Sequence, residues 1–211
     1  FADGSGYYDM YNTAVFFPQK DPIEWYHKSK LVVGVEKMPF MSILKPLMGE
    51  VAIDLGGTAG SLGVQADREV FSVAEDKYKV GSAICYESVY GEFYGGFVRR
   101  GANLMTIITN DDWWGDTPGH QQHFSYARLR AIETRRAIAR SANTGISGFI
   151  NSRGDVEQRL EYKKGGALRG KVEVRNDLTF YTRYGDMLVG TSWFVILVLG
   201  ISIWVKSKTK R

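Results

Sequence analysis

Residues Tyr78 to Ser88, with the sequence YKVGSAICYES, decide the fold, because an apolar run leads directly into a cysteine and then into polar residues. Tyr78 to Ile84 has the length and composition of a β-strand. A helix is predicted next, from Ser88 to Arg100, and a buried strand follows from Asn103 to Thr109. This alternation of strand, helix and strand predicts an α/β domain in which helices pack on a sheet.

The segments on either side continue the same α/β pattern. Upstream, we predict a strand from Tyr11 to Phe17, extended chain from Lys28 to Val35, and a loop or short apolar helix from Met38 to Met48. Downstream, we predict a long helix from His120 to Ala142, a hairpin made of Ile146 to Asn151 and Val156 to Tyr162, and a strand from Ala167 to Val174.

In the predicted long helix, apolar residues recur at three- and four-residue spacings and define a buried face, while most charged residues lie off that face. The apolar set is Phe124, Ala127, Ala131, Ile138 and Ala142, and the charged set is Arg128, Glu133, Arg136 and Arg140. We therefore expect the arginines to form a solvated face rather than a ligand site.

Composition and charge limit the possible classes of protein. A chain of 211 residues with 44% hydrophobic content can bury one sizeable core, and its length favours one domain with an appendage. The net charge is +4, but the basic residues do not line one element of a recognisable module, which argues against nucleic-acid binding. A single cysteine excludes an internal disulfide. The chain starts at Phe1 without a signal-peptide pattern, so we expect a fragment of a longer protein.

A membrane-spanning helix is predicted from Met187 to Val205, where no charged residue occurs. A helix of this length reaches about 28 Å, close to the hydrocarbon thickness of about 30 Å. Trp193 and Trp204 lie toward its two ends, and a basic tail of residues 206–211 follows. By the positive-inside rule the C-terminus is then cytoplasmic and the preceding domain lies on the opposite side. The alternative is a buried core helix.

Cys85 follows the apolar strand and precedes the predicted helix. A thiol at a helix N-terminus feels the helix dipole and free backbone N–H groups, which favour the nucleophilic thiolate. The N–H of Tyr86 could also point at an oxyanion formed when the thiolate attacks a carbonyl. The alternative is an inert cysteine in the core, the commoner environment for this residue type.

Three motifs lie in order along the chain: Tyr26 to Val32 (YHKSKLV) followed by Glu36, Cys85-Tyr86-Glu87, and Thr109 to Gly115 (TNDDWWG). With the terminal apolar helix, they resemble the apolipoprotein N-acyltransferase family of the nitrilase, or carbon–nitrogen hydrolase, superfamily. The likeness runs from about Tyr11 to the C-terminus. It implies part of a nitrilase-like α-β-β-α sandwich in residues 1–183, a transmembrane helix in residues 187–205 and a cytoplasmic tail.

The resemblance assigns roles to the motif residues. It implies Cys85 as nucleophile and Lys28 as the catalytic lysine of a Glu-Lys-Cys triad, whose glutamate base is expected upstream of this chain. Glu36 and Glu87 match supporting carboxylates, and we expect Glu87 to orient Lys28. The candidate oxyanion and substrate-pocket residues are Tyr86, Asn110, Trp113 and Trp114.

The function implied is transfer of a fatty acyl chain from a phospholipid to the N-terminal amine of a diacylglyceryl-modified apolipoprotein, by way of a thioester at the bacterial inner membrane. Metal and dissociable cofactors are not implied, and His120 and His123 at i, i+3 form a weak zinc pattern without a third ligand. Two alternatives stay open. One is a nitrilase-type amidase, and the other is a non-catalytic, membrane-tethered binding domain.

Overall fold

The computed structural model describes residues 10–37, 62–75 and 77–209. The segment from Met38 to Met48, predicted as a loop or short helix, lies outside these residues. Within the described part of the chain, the strands form a two-stranded and a six-stranded sheet. The predicted α/β class is confirmed.

The small sheet carries the residues that lead to Lys28. Strand β1 (Thr13–Phe16) pairs antiparallel with β2 (Glu24–His27), so that Thr13 lies opposite His27. The prediction for β1 is confirmed, but extended chain from Lys28 to Val35 is wrong. The strand ends at His27, and the chain then folds into a tight turn in which Gly34 has φ of 89°. The turn forms because the carbonyl of Val32 accepts several following N–H groups, which a strand would direct to a neighbour.

The large sheet is mixed, with its strands in the order β3-β4-β5-β6-β7-β8. These are β3 (Val70–Val73), β4 (Tyr78–Ile84), β5 (Leu104–Asn110), β6 (Ile138–Asn143), β7 (Ser147–Ile150) and β8 (Val156–Leu160). Strands β4, β5 and β6 run parallel, and the remaining pairs are antiparallel. The predicted strand at Tyr78 to Ile84 and the predicted hairpin of β7 and β8 are both confirmed.

Helices connect the parallel strands, as parallel pairing requires. A 3-10 turn (Cys85–Val89) and α1 (Gly91–Arg99) join β4 to β5. A short 3-10 turn (Asp112–Trp114) and α2 (Gly119–Thr134) join β5 to β6. Both helices bury apolar side chains against the sheet, and the shared core includes Phe93, Phe97, Met105, Ile107, Phe124, Ala127 and Ile138.

The predicted long helix from His120 to Ala142 is wrong in its second half. Helix α2 ends at Thr134 because Arg135 takes a left-handed conformation, with φ of 51°, and the chain then enters β6. The expectation of a solvated arginine face is confirmed for Arg128, which is exposed, but it is wrong for Arg136 and Arg140, which are buried. Arg136 donates to the carbonyls of Ala102 and Asp177, so its burial is balanced by hydrogen bonds.

The last part of the chain leaves the sheet. The predicted strand from Ala167 to Val174 is wrong, because this stretch has no regular secondary structure. One of its backbone groups, the carbonyl of Arg169, accepts a hydrogen bond from the side chain of Gln158 instead of from a neighbouring strand. A short helix α3 (Phe180–Tyr184) precedes α4 (Met187–Thr209). Helix α4 buries none of its side chains and is long and apolar enough to cross a membrane. It contains the whole segment predicted to do so.

Candidate active site

Cys85 sits at the point where the chain turns sharply from the end of β4 into the 3-10 turn. Ile84 is still extended, with φ of −97° and ψ of 111°, whereas Cys85 has φ of 53°. Positive φ is uncommon for a residue with a side chain, and such strained positions cluster at functional sites. The Cys85 thiol is partly buried and free of a disulfide. Helix α1 begins only at Gly91, so Cys85 heads a 3-10 turn and lacks the predicted α-helix N-terminus.

Lys28 lies directly after β2, and its side chain is fully buried. Its ammonium group pairs with both carboxylate oxygens of Glu36, each at 2.7 Å. Glu36 also accepts hydrogen bonds from Asn12 Nδ2 at 2.5 Å and from the N–H of Val32 at 2.8 Å. Because a buried charge is tolerated only when it is paired and hydrogen-bonded, Glu36 is the residue that keeps this ammonium inside the protein.

Glu87 connects the segment of Lys28 to the turn of Cys85. Its Oε2 accepts from the N–H of Ile84 at 2.8 Å, on the nucleophile's own strand. Its Oε1 accepts from the N–H of Ser29 at 2.6 Å and from the hydroxyl of Tyr26 at 2.7 Å, on both sides of Lys28. Glu87 therefore contacts the backbone beside Lys28, while the ammonium itself bonds to Glu36. The expectation that Glu87 orients Lys28 is refined to an action through the backbone.

The electrostatic setting of Glu87 follows from its burial. Desolvation raises the pKa of its carboxyl group, because the charged form loses its hydration. The hydrogen bonds from Ile84, Tyr26 and Ser29 act in the opposite direction, since they stabilise the carboxylate. The same burial, together with the adjacent Glu87 carboxylate, raises the pKa of the Tyr26 hydroxyl, which stays protonated as a hydrogen-bond donor.

A buried polar cluster lies beneath the Cys85 turn, and it consists of Ser88, Asp111, His123 and Arg140. Asp111 uses Oδ1 to contact His123 Nδ1 at 2.8 Å and Oδ2 to accept from Arg140 Nη2 at 2.7 Å. The other ring nitrogen of His123, Nε2, lies 3.0 Å from the Ser88 hydroxyl and 3.2 Å from the carbonyl oxygen of Cys85. The cluster therefore reaches from β6 to the backbone of Cys85.

Opposing effects set the charges in this cluster. Burial alone would raise the pKa of Asp111, but the hydrogen bond from His123 and the positive charge of Arg140 hold it below its ordinary value. Desolvation lowers the pKa of Arg140, whereas the Asp111 carboxylate and, more weakly, the charge of Cys85 raise it. Arg140 is thus a buried cation within electrostatic range of the Cys85 sulfur.

The four candidate pocket residues lie next to the Cys85 turn and at the end of β5. The ring of Tyr86 lies edge-on to Tyr90 and 6.4 Å from the ring of His123, next to the turn. Asn110 accepts from the N–H of Asp112, and the side chains of Trp113 and Trp114 are 64% and 38% exposed. The two tryptophans therefore present apolar surface to the outside at the edge of the sheet that carries the site.

None of the four members of the cluster was among the predicted site residues. Asp111 lies inside the predicted TNDDWWG motif, but the motif alone does not say which of its polar groups turns inward. Arg140 was assigned to a solvated helix face. His123 was weighed only as a zinc ligand with His120, whose ring instead stacks on Tyr162 with centroids 4.1 Å apart.

Chemically, the arrangement offers a thiol on a strained turn and a buried ammonium on the neighbouring loop, with Glu87 joining the two. A thiolate can attack a carbonyl carbon, and a nearby cation in a dry site stabilises the oxyanion that results. These groups supply part of what acyl transfer through a thioester requires.

The sequence of this chain is similar to those of known proteins. A family model described as carbon–nitrogen hydrolase matches residues 3–176. An apolipoprotein N-acyltransferase of Chlorobaculum tepidum is 32% identical over 184 residues, which are 86% of this chain and 34% of that protein. The enzyme of the same name from Thermotoga maritima is 32% identical over 84% of the chain and 33% of its own length. The chain thus spans about a third of the length of these curated relatives.

Solved structures show the same fold. An amidase from Nesterenkonia sp. superposes with a TM-score of 0.52 at 18% identity, covering 81% of this chain and 56% of the amidase. Nit3 of Saccharomyces cerevisiae, a member of the nitrilase superfamily, gives a TM-score of 0.50 at 19% identity and covers 72% of this chain and 49% of its own. The sheet and helices described above are therefore arranged as in nitrilase-superfamily proteins.

Proposed function

Because the chain belongs to the carbon–nitrogen hydrolase family, we propose that it is the C-terminal part of an apolipoprotein N-acyltransferase. The observation that carries this proposal is the junction made by Glu87, which bonds to the Cys85 strand and to the Lys28 loop at once. The relatives named apolipoprotein N-acyltransferase support the choice of reaction, because they match this chain over more than four-fifths of its length.

In the first half-reaction, the Cys85 thiolate attacks the ester carbonyl carbon of a phospholipid. A carbon–sulfur bond forms, the Lys28 ammonium and the N–H of Tyr86 stabilise the oxyanion, and the ester carbon–oxygen bond then breaks. The departing lysophospholipid oxygen takes a proton from the glutamate that serves as general acid and base, which we place upstream of this chain. The product on the protein is an acyl thioester.

In the second half-reaction, the α-amine of a diacylglyceryl-modified cysteine attacks the thioester carbonyl. A carbon–nitrogen bond forms, the carbon–sulfur bond breaks, and the same glutamate removes a proton from the amine. Cys85 returns to the thiolate. Both substrates are lipids, so one apolar entrance can admit them in turn, and the exposed Trp113 and Trp114 are suited to line it.

The membrane supplies both substrates in this proposal. Helix α4 is apolar on all sides and buries none of its surface in the protein, which favours lipid as its surroundings. Lys206 and Lys208 in its last turn support a cytoplasmic C-terminus by the positive-inside rule, and the proposal accordingly has the catalytic domain on the periplasmic side of the inner membrane. Protease digestion of intact spheroplasts, with a tag after Arg211, tests this orientation, since a cytoplasmic tag survives and a periplasmic one is lost.

The acyl-transfer proposal is tested with the full-length protein in phospholipid vesicles. Intact mass spectrometry is expected to find an adduct of one fatty acyl chain that neutral hydroxylamine removes and that a Cys85→Ala variant lacks. Adding a synthetic diacylglyceryl-cysteine peptide is expected to discharge the adduct and yield the N-acylated peptide.

Each alternative gives a different result in the same experiment. An amidase would form no lipid thioester and would instead release ammonia from small amides. A non-catalytic binding domain would give neither product from any donor. Either outcome would rule out the transferase.

A further inference from the structure

We propose that His123 is the positioning residue for the nucleophile: its Nε2–H holds the carbonyl of Cys85 and thereby fixes the left-handed turn that aims the thiol. The proposal rests on the proposed function only for the identity of the acyl donor. The geometry of the turn and of the buried cluster carries the rest.

The hydrogen bonds around His123 determine where its ring carries hydrogen. The Ser88 hydroxyl donates to the carbonyl oxygen of Cys85 at 2.8 Å, so its lone pairs face the His123 ring. Both neighbours of Nε2, the Ser88 oxygen and the Cys85 carbonyl oxygen, therefore act as acceptors, and Nε2 must be the donor. The carbonyl of Cys85 thus receives two hydrogen bonds, one from Ser88 and one from His123.

The other side of the ring is equally fixed. Nδ1 lies 2.8 Å from Asp111 Oδ1 and 3.3 Å from Arg140 Nη2. Asp111 is itself held by Thr109 Oγ1 at 3.0 Å and by Arg140 Nη2 at 2.7 Å. The ring of Tyr86 also faces His123, with ring centroids 6.4 Å apart. Since Asp111 is anchored on β5 and β6, the ring cannot shift without disturbing the sheet.

This anchoring matters because Cys85 is held in an unfavourable conformation. A non-glycine residue with φ of 53° persists only where its surroundings over-determine it. The hydrogen bonds from His123 and Ser88 to the Cys85 carbonyl act on the very peptide group that sets this turn. Losing the bond from His123 frees the peptide to rotate, and a displacement of about 1 Å at a reacting atom lowers the rate by about 10²-fold.

A pair of substitutions separates positioning from packing. His123→Gln keeps an amide donor where Nε2 lies, whereas His123→Asn carries the same amide on a shorter chain that can reach Asp111 but not the Cys85 carbonyl. Both variants remove the imidazole ring, so they share any loss of stability that comes from its packing. The full-length protein is used, and three quantities are measured: the melting midpoint, the rate of Cys85 alkylation by iodoacetamide, and the rate of acyl-thioester formation from phospholipid vesicles.

We expect similar melting midpoints for the two variants and thioester formation at least about 10-fold slower for His123→Asn than for His123→Gln. Equal rates for the two variants would overturn the proposal, because His123 would then only fill space. Alkylation needs no lipid substrate, so it tests the positioning even if the acyl-transfer proposal fails. In that case, slower alkylation of the Asn variant supports the role of His123, and identical alkylation of the two variants refutes it.

Discussion

The two halves of the candidate site are held in different ways. Lys28 follows a two-stranded sheet, on a loop whose position depends on carboxylates: Glu36 pairs with its ammonium, and Glu87 accepts from the backbone beside it. Cys85 directly follows β4 of the six-stranded sheet, and the buried polar cluster contacts its strained backbone. The ammonium is therefore positioned by charge, whereas the thiol is positioned by the fold.

The largest effect is expected when the charge-held half loses its cation. Lys28→Met leaves the Glu36 carboxylate nearly buried without its partner, which costs about 3–5 kcal/mol of unfolding free energy. Thioester formation should fall by about 10²- to 10³-fold, because the oxyanion loses a donor. Thermal melting and acylation kinetics measure the two effects.

An exposed ion pair gives the matched control for Lys28. Arg100 pairs with Asp67 at 2.7 Å on the surface, so Arg100→Met should change stability by less than about 1 kcal/mol and leave acylation intact. If Lys28→Met proved as mild as Arg100→Met, the half of the site around Lys28 would not depend on charge.

The next effect concerns the fold-held half of the site, which is Cys85 with the buried polar cluster beneath it. Asp111→Asn removes the anion shared by His123 and Arg140, and it leaves Arg140 buried without its carboxylate. We expect destabilisation of about 3–5 kcal/mol. Alkylation of Cys85 should slow as well, since His123 loses its anchor. Unchanged alkylation in a folded Asp111→Asn variant would show that the Cys85 turn keeps its conformation without the Asp111 carboxylate.

A smaller effect is expected from a single methyl group at Gly145. A Cβ at this position would collide with the Asp111 carboxylate, although the backbone conformation of Gly145 is ordinary. Gly145→Ala should therefore cost about 1–3 kcal/mol through forced movement of Asp111. Gly165 meets nothing within 4 Å of the same added atom, so Gly165→Ala is the control and should be neutral within about 0.5 kcal/mol. Equal melting midpoints for the two variants would contradict the tight fit.

The smallest effect is a pH dependence from Glu87, which joins the two halves. Its pKa in the folded protein is raised by burial above the ordinary value of 4.5, so the folded state binds its proton more tightly than the unfolded chain does. This contribution to stability is therefore present below pH 4.5 and is lost as the pH rises through the raised folded pKa. Relative to Glu87→Gln, the native protein should lose a few degrees of melting midpoint between pH 4.5 and 7. Parallel profiles for the two proteins would contradict this.

Sequence patterns predicted the fold-held half well where local signals agreed. Strand β4 was located at Tyr78 to Ile84 from its length and mainly apolar composition, and Cys85 stood out as the residue that follows. The resemblance to the apolipoprotein N-acyltransferase family pointed to Lys28, Glu36 and Glu87. What the sequence could not indicate is that Glu36, rather than Glu87, contacts the ammonium, since this depends on a tight turn around Gly34 that brings Glu36 back onto Lys28.

The buried cluster escaped prediction for a physical reason. The end of α2 carries no glycine or proline, and the non-glycine residue Arg135 takes the left-handed conformation that stops the helix. With the helix extended in error, Arg140 fell on an outer face, although it belongs to β6 and points at Asp111. Arginine side chains are usually exposed. The burial of Arg140 is explained by its ion pair with Asp111, a contact that the sequence does not reveal.

The hydrogen bonds of Glu87 have a consequence for biosynthesis. Its carboxylate meets the N–H of Ser29, which is 58 positions away along the chain, so the site depends on a contact of long sequence separation. Such contacts form late, because the entropy of closing a large loop must be offset before they can hold. A growing or half-folded polypeptide would therefore carry Cys85 as an ordinary thiol, and its reactivity would appear only once both sheets are in place.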